Sequence, residues 1–372
     1  MRTRVTELFG LDLPLFAFSH CRDVVAAVSK AGGMGVLGAL AFTPEQLEVE
    51  LHWIDEHVDG RPYGVDVVMP ASYAGSGGQL DPDRMEQQLA EMIPKEHTDF
   101  IERVLSEYEV PPLSDDEERS GLLGWTHEGA RPQVEIALAH PTRLLVNALG
   151  PPPKDVVDLA HDHDVRVAAL VGSLAHAERQ VNQGVDVIVA QGYEAGGHTG
   201  DVAGMVLVPE VVDAVGDRVP VLAAGGIGSG RQMAAAMALG ADGVWTGSIW
   251  LTTTESDTAP PVMDRLIAAG SRDTVRSRVL TGKPARQLRT PWTDAWERPD
   301  SPGYLPMPLQ YMATADAQRR VAKYGVDELR VMPVGQIVGR MTSVRPVRDV
   351  VLDLMEEFVD ATQRLDTLRD ED

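Results

Sequence analysis

The sequence predicts an α/β fold of the (β/α)8 TIM-barrel class, with a helical insertion after strand 3 and a C-terminal helical extension. Three observations carry that expectation. Short apolar, β-branched runs alternate with helical patterns, the order that parallel βα units produce. Eight such runs can be counted, the number that closes a barrel. The last two empty directly into loops rich in glycine.

The runs span residues 13–19, 34–38, 63–69, 144–149, 165–171, 185–190, 219–224 and 243–246. Helices are expected over 23–31, 173–183 and 229–239, and one opens at Thr43. There Thr43-Pro44-Glu45-Gln46 combines an N-cap, a proline at the first helical position and a capping-box glutamine. The spacing breaks between Met69 and Leu144, where a polar, charged stretch shows helical patterns near Met85 and Ile101. An insertion over about 70–133 is the reading, and it leaves two roles open. It could be a lid, since loops after barrel strands open onto the catalytic face, or a surface or oligomer contact.

After Leu251 the pattern turns irregular, with a proline-rich stretch from Pro284 to Pro308 and then helices. The final helix, around 350–365, has apolar residues at helical spacing and should pack on the barrel or a second subunit. The expected organisation is a barrel over 1–255 and an extension over 256–372 packing on it.

A chain of 372 residues with 44% hydrophobic content can bury one large core. Its net charge of -23 makes nucleic acid and anionic membranes poor partners. Cys21 is the one cysteine, which excludes an intrachain disulfide and a cysteine-ligated cluster. No run of about 18 apolar residues occurs, and the opening residues lack a signal-length apolar stretch. A cytoplasmic protein is expected. The acidic runs Ser114-Asp-Asp-Glu-Glu118 and Asp370-Glu-Asp372 read as solvated surface.

The most informative segment is Val219-Pro-Val-Leu-Ala-Ala-Gly-Gly-Ile-Gly-Ser-Gly-Arg231, a buried strand running into glycines and then a helix capped by Ser229. Glycines let backbone N–H groups approach a phosphate with no Cβ in the way, and a helix N-terminus adds partial positive charge. Gly243-Val-Trp-Thr-Gly-Ser248 repeats the arrangement, and the pair matches the phosphate site that barrels build after strands seven and eight. A Rossmann fingerprint needs GxGxxG, whereas these glycines run GxGxG.

A second loop, Ala190-Gln-Gly-Tyr-Glu-Ala-Gly-Gly-His-Thr-Gly200, follows the sixth run. Its histidine would project into the barrel mouth, where an imidazole can exchange a proton or polarise a substrate oxygen. His198 is therefore the catalytic candidate. His20 and Cys21 follow the first strand and could face a ligand or simply form a turn. His161 and His163, two apart on a helix, point to different faces and do not suggest a metal.

These motifs, with Leu222-Ala-Ala-Gly-Gly-Ile227 and Ala241-Asp-Gly-Val-Trp-Thr-Gly-Ser248, resemble the nitronate monooxygenase family, once called 2-nitropropane dioxygenases. The resemblance runs from the first strand to about Glu255 and resumes in Thr281-Gly-Lys-Pro-Ala-Arg286 and Gly335-Gln336. It implies an FMN-containing barrel in which His198 meets the substrate beside the flavin ring. It further implies that Gln191, Gly196 and Gly197 approach the flavin, that Ala224 also binds it, that Gly225, Gly226, Gly247 and Ser248 hold its phosphate, and that Ala17, Phe18 and Ser19 run along the ring edge. The chain departs from the family at Ala17-Phe-Ser-His-Cys21, where a Pro-Met-Ala element is usual, and at Asp66, where an asparagine is usual. A charge on Asp66 would be unhelpful beside a reduced flavin unless paired or protonated.

The activity implied is oxidation of an alkyl nitronate with O2. Related flavin barrels with the same motifs suggest an alternative, NAD(P)H-dependent reduction of a quinone or of an enoyl or ring-derived thioester, and a non-catalytic phosphate-binding barrel is the third reading. The partner is a small molecule in every case, and a homo-oligomer is compatible with the sequence.

Overall fold

Each of the eight apolar runs becomes a strand. They are β1 (Leu15–Ser19), β2 (Met34–Gly38), β3 (Tyr63–Val67), β4 (Leu144–Asn147), β5 (Arg166–Val171), β6 (Val187–Gln191), β8 (Val221–Ala224) and β9 (Gly243–Thr246). A two-residue strand, β7 (Gly197–His198), lies outside this series. The computed structural model describes residues 1–69, 84–114 and 127–368. In it the eight strands close a barrel in the order β1-β2-β3-β4-β5-β6-β8-β9, all pairs parallel.

The two-residue period of a strand sorts its side chains between two cores. Phe16, Met34, Val36, Leu144, Val146, Val187, Val189, Leu222 and Trp245 fill the barrel interior, and Val5 and Phe9 of helix α1 (Arg4–Phe9) plug its lower end. Alternate residues such as Leu15, Ala17, Leu37, Val65 and Val67 face the surrounding helices. Burying each large apolar side chain is worth roughly 1.5–3 kcal/mol, so a register slip in any strand would cost several such terms at once.

The helix signals hold. Helix α2 (Arg22–Lys30) starts after Cys21, whose side chain makes no capping bond, and α3 (Pro44–His57) opens on the capping box: Gln46 N–H donates to Thr43 Oγ1 at 3.2 Å and Thr43 N–H to Gln46 Oε1 at 2.9 Å. The described part of the insertion forms α4 (Met85–Glu91) and α5 (Lys95–Glu107), and the helix α6 (His127–Ala139) then packs on α3 and β3. The acidic runs of the sequence lie, apart from Ser114, outside the described residues. The ring continues with α7 (Lys154–Asp162), α8 (Leu174–Asn182), α9 (Gly204–Val215) and α10 (Gly230–Ala238).

After β9 the chain leaves the barrel. It forms α11 (Pro260–Ala268), strands β10 (Thr274–Ser277) and β11 (Ala285–Leu288), α12 (Pro291–Ala295) and α13 (Leu309–Lys323), then returns as α14 (Val347–Thr367). The stretch expected to be irregular thus contains two strands, which pair with β7 in the order β10-β11-β7. Their short, charge-bearing sequences, Thr-Val-Arg-Ser and Ala-Arg-Gln-Leu, hide them from a hydrophobic-pattern reading. The insertion and the extension share one apolar cluster, in which Phe100, Ile101, Val104 and Leu105 meet Trp292, Trp296, Ala317 and Val321. The last helix packs on the barrel, between α10 and α2, in the place that follows the eighth strand. Among the described residues no helix is long and apolar enough to cross a membrane.

Candidate active site

At the C-terminal ends of the barrel strands lies a cavity of about 560 Å³, within the range typical of small-molecule sites. Phe18, Ser19, Asp66, Gln191, Gly196, Gly197, His198, Ala224, Gly225, Gly226, Gly247 and Ser248 all line it. Of the residues expected at the site, Ala17 does not: it is fully buried among the apolar residues facing the helices.

The glycine loops form one side. Gly225 and Gly226 take φ of 93° and 70°, a left-handed backbone that side chains disfavour. A Cβ on Gly226 would meet Glu194 Cβ at 3.3 Å, whereas one on Gly247 would find nothing nearer than Phe18 Cδ1 at 4.0 Å. Gly247 therefore leaves open space beside the cavity. The Ser248 hydroxyl accepts from Gly335 N–H at 2.8 Å and keeps its own proton to donate.

Around the α10 N-terminus three amides already have partners within the chain. Gly228 N–H donates to Gln232 Oε1 at 3.0 Å, Gln232 N–H to Ser229 Oγ at 3.2 Å, and Gly230 N–H to the Glu357 carboxylate of α14 at 3.1 Å. Gly228 and Ser229 line a separate, smaller pocket with Arg340 and Arg345.

His198 stands on the other loop. Its strand β7 is paired with β11, Ala285 opposite His198 and Arg286 opposite Gly197. His198 Nε2 lies 2.7 Å from Thr281 Oγ1, which fixes the ring, and Thr281 Oγ1 also accepts from Lys283 N–H at 3.3 Å. Burial first, and the Lys283 ammonium second, lower the imidazole pKa to about 4. The ring is neutral at physiological pH.

Behind it the loop is anchored at several points. The Glu194 carboxylate accepts from Gly204 N–H at 2.9 and 3.1 Å, capping α9, and the Glu194 carbonyl accepts from Gln336 N–H at 2.9 Å. Arg286, 2% exposed, donates from Nε and Nη2 to the Tyr193 carbonyl at 3.2 and 3.1 Å and stacks 4.4 Å from the Tyr193 ring. Gly196 is packed backbone to backbone on Gly335, where a Cβ would lie 2.7 Å from the Gly335 nitrogen.

Asp66, 3% exposed, is the penultimate residue of β3 and faces the interior side, and its Oδ1 has no hydrogen-bond partner among the described residues. Burial holds its carboxyl well above the usual carboxylate range. His20 lines the cavity as well, donating from Nδ1 to the Gly38 carbonyl at 3.0 Å, and burial lowers its pKa. The Cys21 thiol instead donates to the Glu255 carbonyl. His161 Nε2 pairs with Asp186 at 2.8 Å and His163 Nδ1 donates to the Leu159 carbonyl at 2.9 Å, and no metal-ligand cluster occurs among the described residues. Sequence reasoning missed Trp245, Asp257, Leu280, Tyr311 and Ile337 in the cavity wall. Trp245 could have been found as the inward residue of β9; the others come from segments without periodic signal.

The nitronate monooxygenase family profile matches residues 16–357. The chain belongs to that family. It is a flavin-dependent oxidoreductase of the monooxygenase type. A Mycobacterium tuberculosis protein named "Putative monooxygenase" is 56% identical, with 99% of each chain covered. A Staphylococcus aureus protein named "Probable nitronate monooxygenase" is 27% identical over 96% of this chain and 97% of its own. Among solved structures, nitroalkane oxidase from Streptomyces ansochromogenes is 26% identical with a TM-score of 0.79, covering 97% of this chain and 99% of that one.

Proposed function

We propose that the protein is an FMN-dependent monooxygenase that oxidises alkyl nitronates with O2. The observation that carries this reading is one cavity lined both by two glycine loops and by a neutral, hydroxyl-anchored His198. The residues fit the flavin. Amides at Gly225, Gly226, Gly247 and Ser248 would hold a terminal phosphate, with the Ser248 hydroxyl as a further donor, and Gln191, Gly196, Gly197, Ala224, Phe18 and Ser19 would border the ring. When bound, FMN supplies the two-electron chemistry between substrate and O2.

A nitronate is already an anion, so the site needs no strong base. A neutral imidazole still has one N–H with which to donate to a nitronate oxygen. A positioned donor of this kind is worth roughly 2.7–4 kcal/mol in oxyanion sites. Phe18, Leu170, Trp245 and Leu280 make the surroundings apolar, which excludes water and strengthens each polar contact.

The test is anaerobic mixing of the flavin-loaded enzyme with a nitronate, NADH and NADPH in parallel, following flavin bleaching. Bleaching by the nitronate alone supports the reading. Bleaching by a nicotinamide alone would replace it with the reductase reading. Chromatography of the released cofactor decides FMN against FAD.

A further inference from the structure

We propose that Asp66 acts as a neutral carboxylic acid whose hydroxyl donates a hydrogen bond to an acceptor atom of the flavin ring. The inference rests on the flavin reading above and goes beyond it by assigning a protonation state and a direction to one contact. It starts from the strand register. Val65 and Val67 face the helices, so the period of β3 turns Asp66 into the barrel, at the layer that floors the cavity. Its cross-strand neighbours are Gly38 on β2 and Val146 on β4, neither of which offers a polar side chain.

A buried carboxyl with no counter-charge and no donor is costly in its ionised form, and the group takes up a proton instead. Burial is the one cause acting on Asp66, and it acts in that direction. The other titratable side chains lining the cavity are His20, His198, Asp257 and Tyr311. Of these the two histidines are held toward their neutral forms, so neither supplies a cation to draw the proton off.

Once neutral, the acid has one O–H to place, and its Oδ1 is buried without a partner among the described residues. Native structures rarely leave such an atom unsatisfied, and a ligand atom in the cavity that Asp66 lines would supply the partner. A carboxylic acid and a carboxamide differ little in shape, and both offer a donor. A carboxylate offers none.

Three variants and two readouts test this. In Asp66→Asn the donor and the shape persist, so FMN affinity stays within about threefold and the midpoint potential moves by less than about 30 mV, the equivalent of a tenfold change in a two-electron equilibrium. In Asp66→Ala the donor is lost and FMN binds about tenfold more weakly, as loss of one buried hydrogen bond predicts. Asp66→Leu behaves as Asp66→Ala, which separates loss of the donor from creation of a cavity. If Asp66 were ionised beside the flavin, Asp66→Asn would instead raise the potential beyond that limit and tighten binding. That result overturns the proposal, as does Asp66→Ala binding FMN like the parent.

The apoprotein gives an independent readout. Because the folded-state pKa is raised, the native chain holds a proton that the unfolded chain releases above about 3.8. Stability contributed at this residue therefore falls as pH rises through that interval. Asp66→Asn removes the loss, so the apo variant gains more in melting temperature over the parent at pH 8 than at pH 4.5. An equal gain at both pH values overturns the neutral-acid assignment. Failure of the parent to bind any flavin would overturn the flavin reading, while the melting comparison would still report the state of Asp66.

Discussion

The two walls of the cavity are built in different ways. The glycine wall, Gly225–Gly226 and Gly247–Ser248, is local: each loop is the direct continuation of a barrel strand, and the two strands are neighbours. The histidine wall is assembled from a distance. His198 sits on a two-residue strand held by β11, its ring is fixed by Thr281, and its loop is tied down by Arg286 and Gln336, all from the segment after the barrel. The glycine wall is a property of the barrel, and the histidine wall is a property of how the extension docks on it. Cofactor retention and turnover should therefore separate under mutation.

The sharpest test of that separation is His198→Ala. It should retain flavin and lose about 100- to 10,000-fold in turnover, the range for one positioned proton donor or acceptor. Flavin content and the rate of anaerobic flavin reduction are the two measurements. Loss of flavin would place His198 with the glycine wall and break the comparison.

The converse variant is Gly247→Val. A branched side chain there enters open space at the cavity edge and meets no fold contact nearer than Phe18. Flavin affinity should fall roughly 5- to 150-fold, from 1–3 kcal/mol of overpacking, with an unchanged circular dichroism spectrum. Gly226 is the less clean site, because a side chain there strains a positive φ and presses on Glu194, which touches both walls.

A third variant, Arg286→Met, probes the docking itself. It strands the Tyr193 carbonyl and should cost about 1–3 kcal/mol of stability. Turnover should fall with little change in flavin affinity, and Arg286→Lys should not rescue it, because one ammonium cannot replace the two-pronged contact. Unchanged turnover in a folded Arg286→Met protein would show that the histidine loop holds its own shape.

The smallest expected effect is in the pH profile. A pKa of about 4 keeps His198 neutral above that region, so kcat/KM should decline only as pH falls toward 4. Lys283→Gln removes the second cause of the depression, and the acid limb should move upward yet stay below the ordinary histidine value, since burial remains. A limb that does not move would show that the ammonium is screened from the ring.

The same division explains what the sequence made legible. Strands such as Val187–Gln191 and Val221–Ala224 announce themselves by continuous apolar character, and the glycines that follow are adjacent in sequence to the strands that aim them. His198 could be placed on its loop for the same reason. Thr281 and Arg286 could not be given roles, because their partners lie 83 and 93 residues away and depend on strands too short and charged to show a period. The helix that follows Gly226 looked like an anion site because its capping signal is local, whereas the Glu357 that occupies its first amide arrives from 127 residues later.

That return of the chain has a consequence for how the molecule is made. The helix completing the ring, Val347–Thr367, leaves the ribosome after every barrel strand, and it brings Val347, Val351 and Leu354 to the main core. Until then the seam between Arg22–Lys30 and Gly230–Ala238 stands open, with a backbone face at Gly230 shaped for a helix that has not arrived. A nascent chain stalled at residue 346 should be cut rapidly in a protease pulse, and the released full-length chain should resist. Synthesis thus delivers the staple that locks the barrel long after the strands it locks, and the growing chain must wait for it with its seam unclosed.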